Sequence, residues 1–101
     1  MGQVGSVSWE ELQGAFVAYR EGDQDAARQV FGKLLKVLYG FFFSRIRVPS
    51  DAEDLCQATV LKLHYARDSF DDSQSLKTWV FTIAHRCLID HWRGYSKRDY
   101  D

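Results

Sequence analysis

Apolar residues recur along this chain with the period of an α-helix in four separate stretches, and nowhere with the alternation of a strand. The first opens at Ser8, a capping residue with Glu11 three positions on, and carries Leu12, Phe16 and Tyr19 on one face to about Arg20. Glu21-Gly22-Asp23 punctuates it. Asp23 or Asp25 then opens a longer helix whose Ala27, Val30, Phe31, Leu34, Leu35, Leu38, Phe42 and Ile46 predict a core face ending before Pro49. Residues 37–43 are apolar nearly all round, which predicts burial among several helices, and Gly40 is expected to admit a close neighbour.

Ser50-Asp51-Ala52-Glu53-Asp54 predicts a third start, a cap followed by carboxylates where the helix dipole favours negative charge. That helix is expected to run to about Arg67 with Ala52, Leu55, Cys56, Thr59, Val60 and Leu63 inward. Asp54, Gln57, Ala58, Leu61, Lys62 and Tyr65 then face outward, a mixed surface that fits a solvated face or a small protein contact equally well. A polar loop over residues 68–75 follows, with Phe70 its one apolar member, and Ser73 or Ser75 caps the last helix. There Leu76, Val80, Ile83 and Cys87 form an apolar stripe widened by Ala84, Leu88 and Trp92, with Lys77, Arg86, Arg93 and Lys97 mostly on the other side. The fold class is all-α, a compact bundle of four helices.

At 101 residues the chain suits one small domain with a single core. The opening residues lack a basic segment followed by an apolar run, and no stretch approaches the roughly 20 apolar residues of a membrane span. A cytoplasmic protein with no membrane association is expected. Cys56 and Cys87 fall on different helices without CxxC spacing, which predicts buried thiols. The net charge of -1 and pI of 6.3 are far from the pI above about 9 common in duplex-DNA binders. Distribution matters more: residues 51–75 hold two Lys/Arg against six Asp/Glu, whereas residues 76–101 hold five against three.

Enzyme chemistry finds no support. There is no phosphate-binding glycine loop and no HExxH, and His64, His85 and His91 do not pair at i, i+4. Asp71 and Asp72 adjoin serines in a loop and are expected to be solvated. The residues point to a binding module that needs no metal or cofactor.

The run Asp51-Ala52-Glu53-Asp54-Leu55-Cys56-Gln57, then Phe70, then Leu76-Lys77-Thr78-Trp79-Val80-Phe81-Thr82-Ile83-Ala84-His85-Arg86 and Ile89-Asp90-His91-Trp92-Arg93 resembles region two of bacterial sigma-70-type RNA polymerase sigma factors, most closely the extracytoplasmic-function group. The resemblance covers about residues 8–96, leaving Gly94 to Asp101 as the expected start of a linker toward a region four. It implies a domain that binds core RNA polymerase and recognises and melts the promoter minus-ten element during transcription initiation.

Residue by residue, the resemblance places Asp51, Asp54, Gln57, Ala58 and Leu61 against the clamp helices of the polymerase largest subunit. It makes Phe70, Asp71, Asp72, Ser73 and Gln74 a pocket for a flipped base of the non-template strand, with Phe70 as its aromatic wall. Lys77, Thr82, Arg86, Arg93 and Lys97 would follow that strand, and Trp79 stands at a position tied to strand separation, although a core tryptophan fits the apolar stripe as well. An anti-sigma factor is a further candidate partner. Two positions depart from the family pattern: Ala58 stands where glutamate is common, and Arg86 where asparagine is frequent, which adds charge but removes a group able to donate and accept. Two rival readings are a helical bundle that binds only proteins, through the aromatics of residues 39–43, and a domain that reads duplex grooves.

Overall fold

A computed structural model describes the backbone of residues 8–100 and the side chains of residues 8–94. Helix α1 spans Trp9–Arg20, α2 Gln24–Ile46, α3 Pro49–Tyr65 and α4 Leu76–Tyr100, with a 3₁₀ turn at Arg67–Ser69. The expected all-α bundle of four helices is what forms, and the described residues contain no strand.

Local chemistry sets the helix ends. Ser8 Oγ accepts from the Glu11 N–H at 3.3 Å and Asp23 Oδ1 from the Ala26 N–H at 3.1 Å, each satisfying an orphan first-turn donor. Between them Gly22 adopts φ 104°, while the Gly22 N–H bonds to the Tyr19 carbonyl and the Asp23 N–H reaches back to the Ala18 carbonyl, both at 3.0 Å. That double closure is a Schellman turn, which a glycine makes without steric cost. α2 ends at Arg47, whose φ of 65° is left-handed, and Val48 follows extended, as the residue before a proline must be. The third start therefore differs from expectation: Val48 is the cap position, Pro49 the first helical residue, and Ser50 lies inside the first turn without capping it.

The buried side chains of α2, namely Ala26, Val30, Leu34, Leu38 and Phe42, form a single i, i+4 row. Such a row drifts by about 40° per step around the helix, so α2 packs on α1 along one part and on α3 along another. Leu35, expected in the core, sits off this row and is 38% exposed. α3 buries Ala52, Leu55, Cys56, Thr59 and Leu63, and α4 buries Leu76, Val80, Ala84, Cys87 and Leu88. Trp92, read as widening that stripe, is 48% exposed. Cys56 and Cys87 are buried free thiols; burial, reinforced by the Glu53 carboxylate, pushes Cys56 up to about 11. The aromatic turn of α2 is largely packed: Phe42 is fully buried, Phe41 meets Phe81 of α4 at 5.2 Å, and Tyr39 stacks on Phe43.

Gly40 does not serve a close approach. A methyl group built there meets nothing within 4 Å, so the glycine only weakens the helix. Gly40→Ala is expected to stabilise the domain by about 0.5–1 kcal/mol, read as a higher urea midpoint at unchanged slope.

Candidate functional site

The loop between the 3₁₀ turn and α4 is fastened on three sides. Phe70, expected as an open wall, is only 3% exposed. Its ring centroid lies 5.5 Å from Phe16 of α1 and 5.1 Å from Trp79 of α4, and those two are 5.4 Å from each other. An apolar ring in a polar loop gains more from burial than from water, so Phe70 anchors the loop and offers no free face.

Beyond this anchor the polar residues fold onto one another. Asp71 Oδ1 accepts from the Ser73 N–H at 2.9 Å and from its hydroxyl at 2.8 Å, and this hydrogen bonding, the backbone one foremost, holds the Asp71 carboxyl below the usual range. The Gln74 N–H closes the turn onto the Asp71 carbonyl at 2.9 Å. Asp72 pairs with Arg20 of α1. Gln74 is exposed, and among the described residues its side-chain amide has no hydrogen-bond partner. Of the two candidate caps for α4 it is Ser75 that acts, its Oγ accepting from the Thr78 N–H at 3.2 Å.

Two residues that the sequence reading passed over hold this loop. The Gln13 amide donates to the Asp72 and Gln74 carbonyls at 3.1 and 2.8 Å, and its oxygen accepts from the Leu76 N–H at 3.0 Å. Arg20 donates to the Phe70 carbonyl at 2.8 Å, and its guanidinium stands 5.8 Å from the Phe70 ring centroid. Polar residues flanking an apolar helix face look solvated in sequence; only their spacing of seven, which puts them on one side of α1, hints at a shared task. Nearby, Tyr19 hydrogen-bonds His64 Nδ1 and so joins α1 to the end of α3; burial raises the Tyr19 pKa.

On α4 the candidates divide. Lys77 and Arg86, nine residues or about two and a half turns apart, lie on opposite sides of the helix. Arg86 instead shares a groove with Trp79 and Thr82, closed on its other side by Lys62, Tyr65 and Ser69 and about 620 Å³ in volume. Thr82 bonds back to the Thr78 carbonyl at 2.8 Å. Arg93, seven residues after Arg86, continues the same face within 4.0 Å of Asp90. Among the described residues neither Lys77 nor Arg86 has an ion-pair partner. Lys97 has its side chain outside the described residues, and Gly94, the expected linker start, lies inside α4.

The outward set of α3 is exposed as expected, with Leu61 at 53% and Tyr65 at 76%. It forms a ridge between two grooves. Asp51, Asp54 and Ala58 line the one toward α4, whereas Gln57 lines the one toward α2 with Leu35, Tyr39 and Glu53. Asp51 is half-buried there, 3.8 Å from His91 Nε2. Among the described residues no group of three His, Cys, Asp or Glu could hold a metal, and no helix is long and apolar enough to cross a membrane.

A family model described as Sigma-70 region 2 matches residues 30–98, most of α2 and all of the loop and the groove. The chain belongs to the sigma-70 region 2 family. Among curated proteins, this region 2 chain is 39% identical over 74 residues to the ECF RNA polymerase sigma factor SigF of Caulobacter vibrioides, covering 72% of this chain and 41% of that protein. It is 33% identical over 82 residues to the RNA polymerase sigma factor YlaC of Bacillus subtilis, covering 81% and 45%. It is 30% identical over 81 residues to the ECF RNA polymerase sigma factor SigW of the same organism, covering 80% and 43%. These matches support a region 2 domain of the extracytoplasmic-function type, and the chain spans under half the length of these relatives. No solved structure gives a significant match.

Because α4 of this region 2 domain begins on the Ser75 cap, removing that hydroxyl exposes its first turn. Ser75→Ala is expected to cost about 1 kcal/mol, lowering Tm by about 4–8 °C in thermal unfolding followed by circular dichroism.

Proposed function

We propose that this domain binds core RNA polymerase and favours the melted minus-ten element of a promoter in transcription initiation. The observation that carries the reading is the fastened loop, with exposed Asp71, Asp72, Ser73 and Gln74, beside the groove that holds Trp79, Thr82 and Arg86. A flipped base needs a flat apolar surface and short polar groups for its edge. With the Phe70 ring buried, the stacking surface falls to half-buried Trp79, and edge contacts fall to Gln74 and its neighbours. Arg86 and Arg93 carry the strand's phosphates, and Lys77 contributes from the opposite side.

Melting then requires no covalent step. The groove and loop accept an unpaired base and exclude a stacked one, and this difference in affinity moves the duplex toward the open state. A chain of net charge -1 binds DNA weakly alone, so the polymerase must supply the local concentration. The α3 ridge suits that attachment: a two-helix partner can straddle it, meeting Asp54 and Ala58 in one groove and Gln57 in the other, with Leu61 on the crest and Asp51 at the flank. Ala58 offers no carboxylate to such a partner. An anti-sigma factor would compete for the same exposed faces.

Titration of a fluorescent single-stranded minus-ten oligonucleotide tests the DNA half. Binding should weaken steeply with salt, and Arg86→Ala should weaken it about three- to tenfold while lowering the salt slope by about 0.7. If Arg86→Ala binds like the parent, or duplex is preferred over single strand, the reading fails and a protein-only or duplex-reading bundle takes its place. For the polymerase half, the double substitution Asp54→Ala, Gln57→Ala is expected to reduce recovery of core polymerase in a pull-down at unchanged Tm; equal recovery would refute the ridge assignment.

A further inference from the structure

We infer that Gln13 and Arg20 of α1 are positioning residues that set the base preference of the loop at residues 70–75, an inference that rests on the reading of that loop as a base pocket. The family match begins at residue 30 and so leaves α1 without an assigned role. Gln13 and Arg20 lie seven residues apart on one side of α1, about 10 Å along its axis. They grip opposite ends of the loop: Arg20 takes the Phe70 carbonyl and the Asp72 carboxylate, and Gln13 takes the Asp72 and Gln74 carbonyls and the Leu76 N–H.

The grip decides which groups remain for a ligand. With the carbonyls of Phe70, Asp71, Asp72 and Gln74 engaged, and Asp71 bound to Ser73, the loop backbone offers little to a base edge. Besides the outer carboxylate oxygens of Asp71 and Asp72, the Gln74 side-chain amide remains, one donor end and one acceptor end on a backbone that Gln13 holds at the Gln74 carbonyl. Base discrimination by hydrogen bonds depends on such fixed presentation, because a mobile amide can adapt to any edge. Gln13 achieves this with both ends of its own amide. Gln13→Glu would keep an acceptor for the Leu76 N–H but lose the donors to both carbonyls, and Arg20→Lys would keep the charge but lose the planar fork that reaches two acceptors.

The test uses the 101-residue chain and single-stranded oligonucleotides differing in one base across the minus-ten sequence, with an abasic version at each position. For the parent, an ordinary hydrogen bond to a base edge predicts a preference of about fivefold at one position. Gln13→Ala, Gln13→Glu and Arg20→Ala should bring that ratio to within about twofold while abasic binding, which reads phosphates, stays within about twofold of the parent. Arg20→Lys should retain an intermediate ratio. Without DNA, amide exchange over residues 71–76 should quicken about tenfold in the Ala variants, with exchange in the α2 core unchanged. If the parent shows a preference that Gln13→Ala and Arg20→Ala leave intact, or if every oligonucleotide including the abasic one weakens equally, α1 supports the fold alone and the inference is overturned. A parent with no preference at any position overturns the base pocket itself.

Discussion

Three aromatic rings, Phe16 of α1, Phe70 of the loop and Trp79 of α4, meet edge to face or tilted at 5.1–5.5 Å, and the position of everything near the loop follows from that contact. Burying a ring of this size stabilises by about 1.5–3 kcal/mol and each favourable ring pair adds about 0.5–1.5 kcal/mol. Phe70 is the only apolar residue between the 3₁₀ turn and α4, so its capture draws a polar segment against the bundle and leaves backbone carbonyls close to α1. The Phe70 carbonyl is drawn out of full contact with water and needs a donor, while those of Asp72 and Gln74 come within reach of one. Gln13 and Arg20 supply these donors, which makes the polar grip a consequence of the aromatic one.

What the sequence made legible and what it hid separate along the same line. The helices were legible because their core rows are local: Leu76, Val80, Ala84 and Leu88 follow one i, i+4 ridge. Ser8 and Asp23 act within three residues of themselves. Leu35 fits a helical core pattern because the period admits i+3 or i+4, and only the drift of the α2 row shows which side stays covered. At the third start, Ser50 and Pro49 both satisfy local rules; the left-handed turn at Arg47 places the proline first. Phe70 could be wall or anchor, since the rings that decide it, Phe16 above all, lie far away in sequence. Gln13 and Arg20 leave no local signal beyond their spacing of seven, because their partners are backbone atoms and one carboxylate of a distant loop.

The candidate cations show how helix geometry edits a composition argument. Counting charge in the last quarter of the chain suggested one basic track, but Lys77 lies opposite Arg86, and Arg93 stands near Asp90. Of the α4 cations, Arg86 is the one that, among the described residues, combines exposure, no ion-pair partner and a place in the groove beside Trp79. An arginine there presents a planar cation able to stack on a base as well as to meet a phosphate, which an asparagine cannot do.

α1 links features that the other helices keep apart. Tyr19 bonds His64 at the end of α3, Gln13 and Arg20 hold the loop, Phe16 meets Trp79, and Trp9 packs on Phe81 at 5.9 Å. The proposed polymerase ridge is on α3 and the proposed base-reading loop lies just past its end, so one helix braces both. Without that brace, the short segment from Tyr65 to Leu76 would leave the loop free to rotate about the end of α3, and attachment through the ridge would not determine where the loop points. With it, a partner gripping α3 also orients Gln74 and the Trp79 groove, and binding energy gained at the ridge is not spent again on ordering the loop.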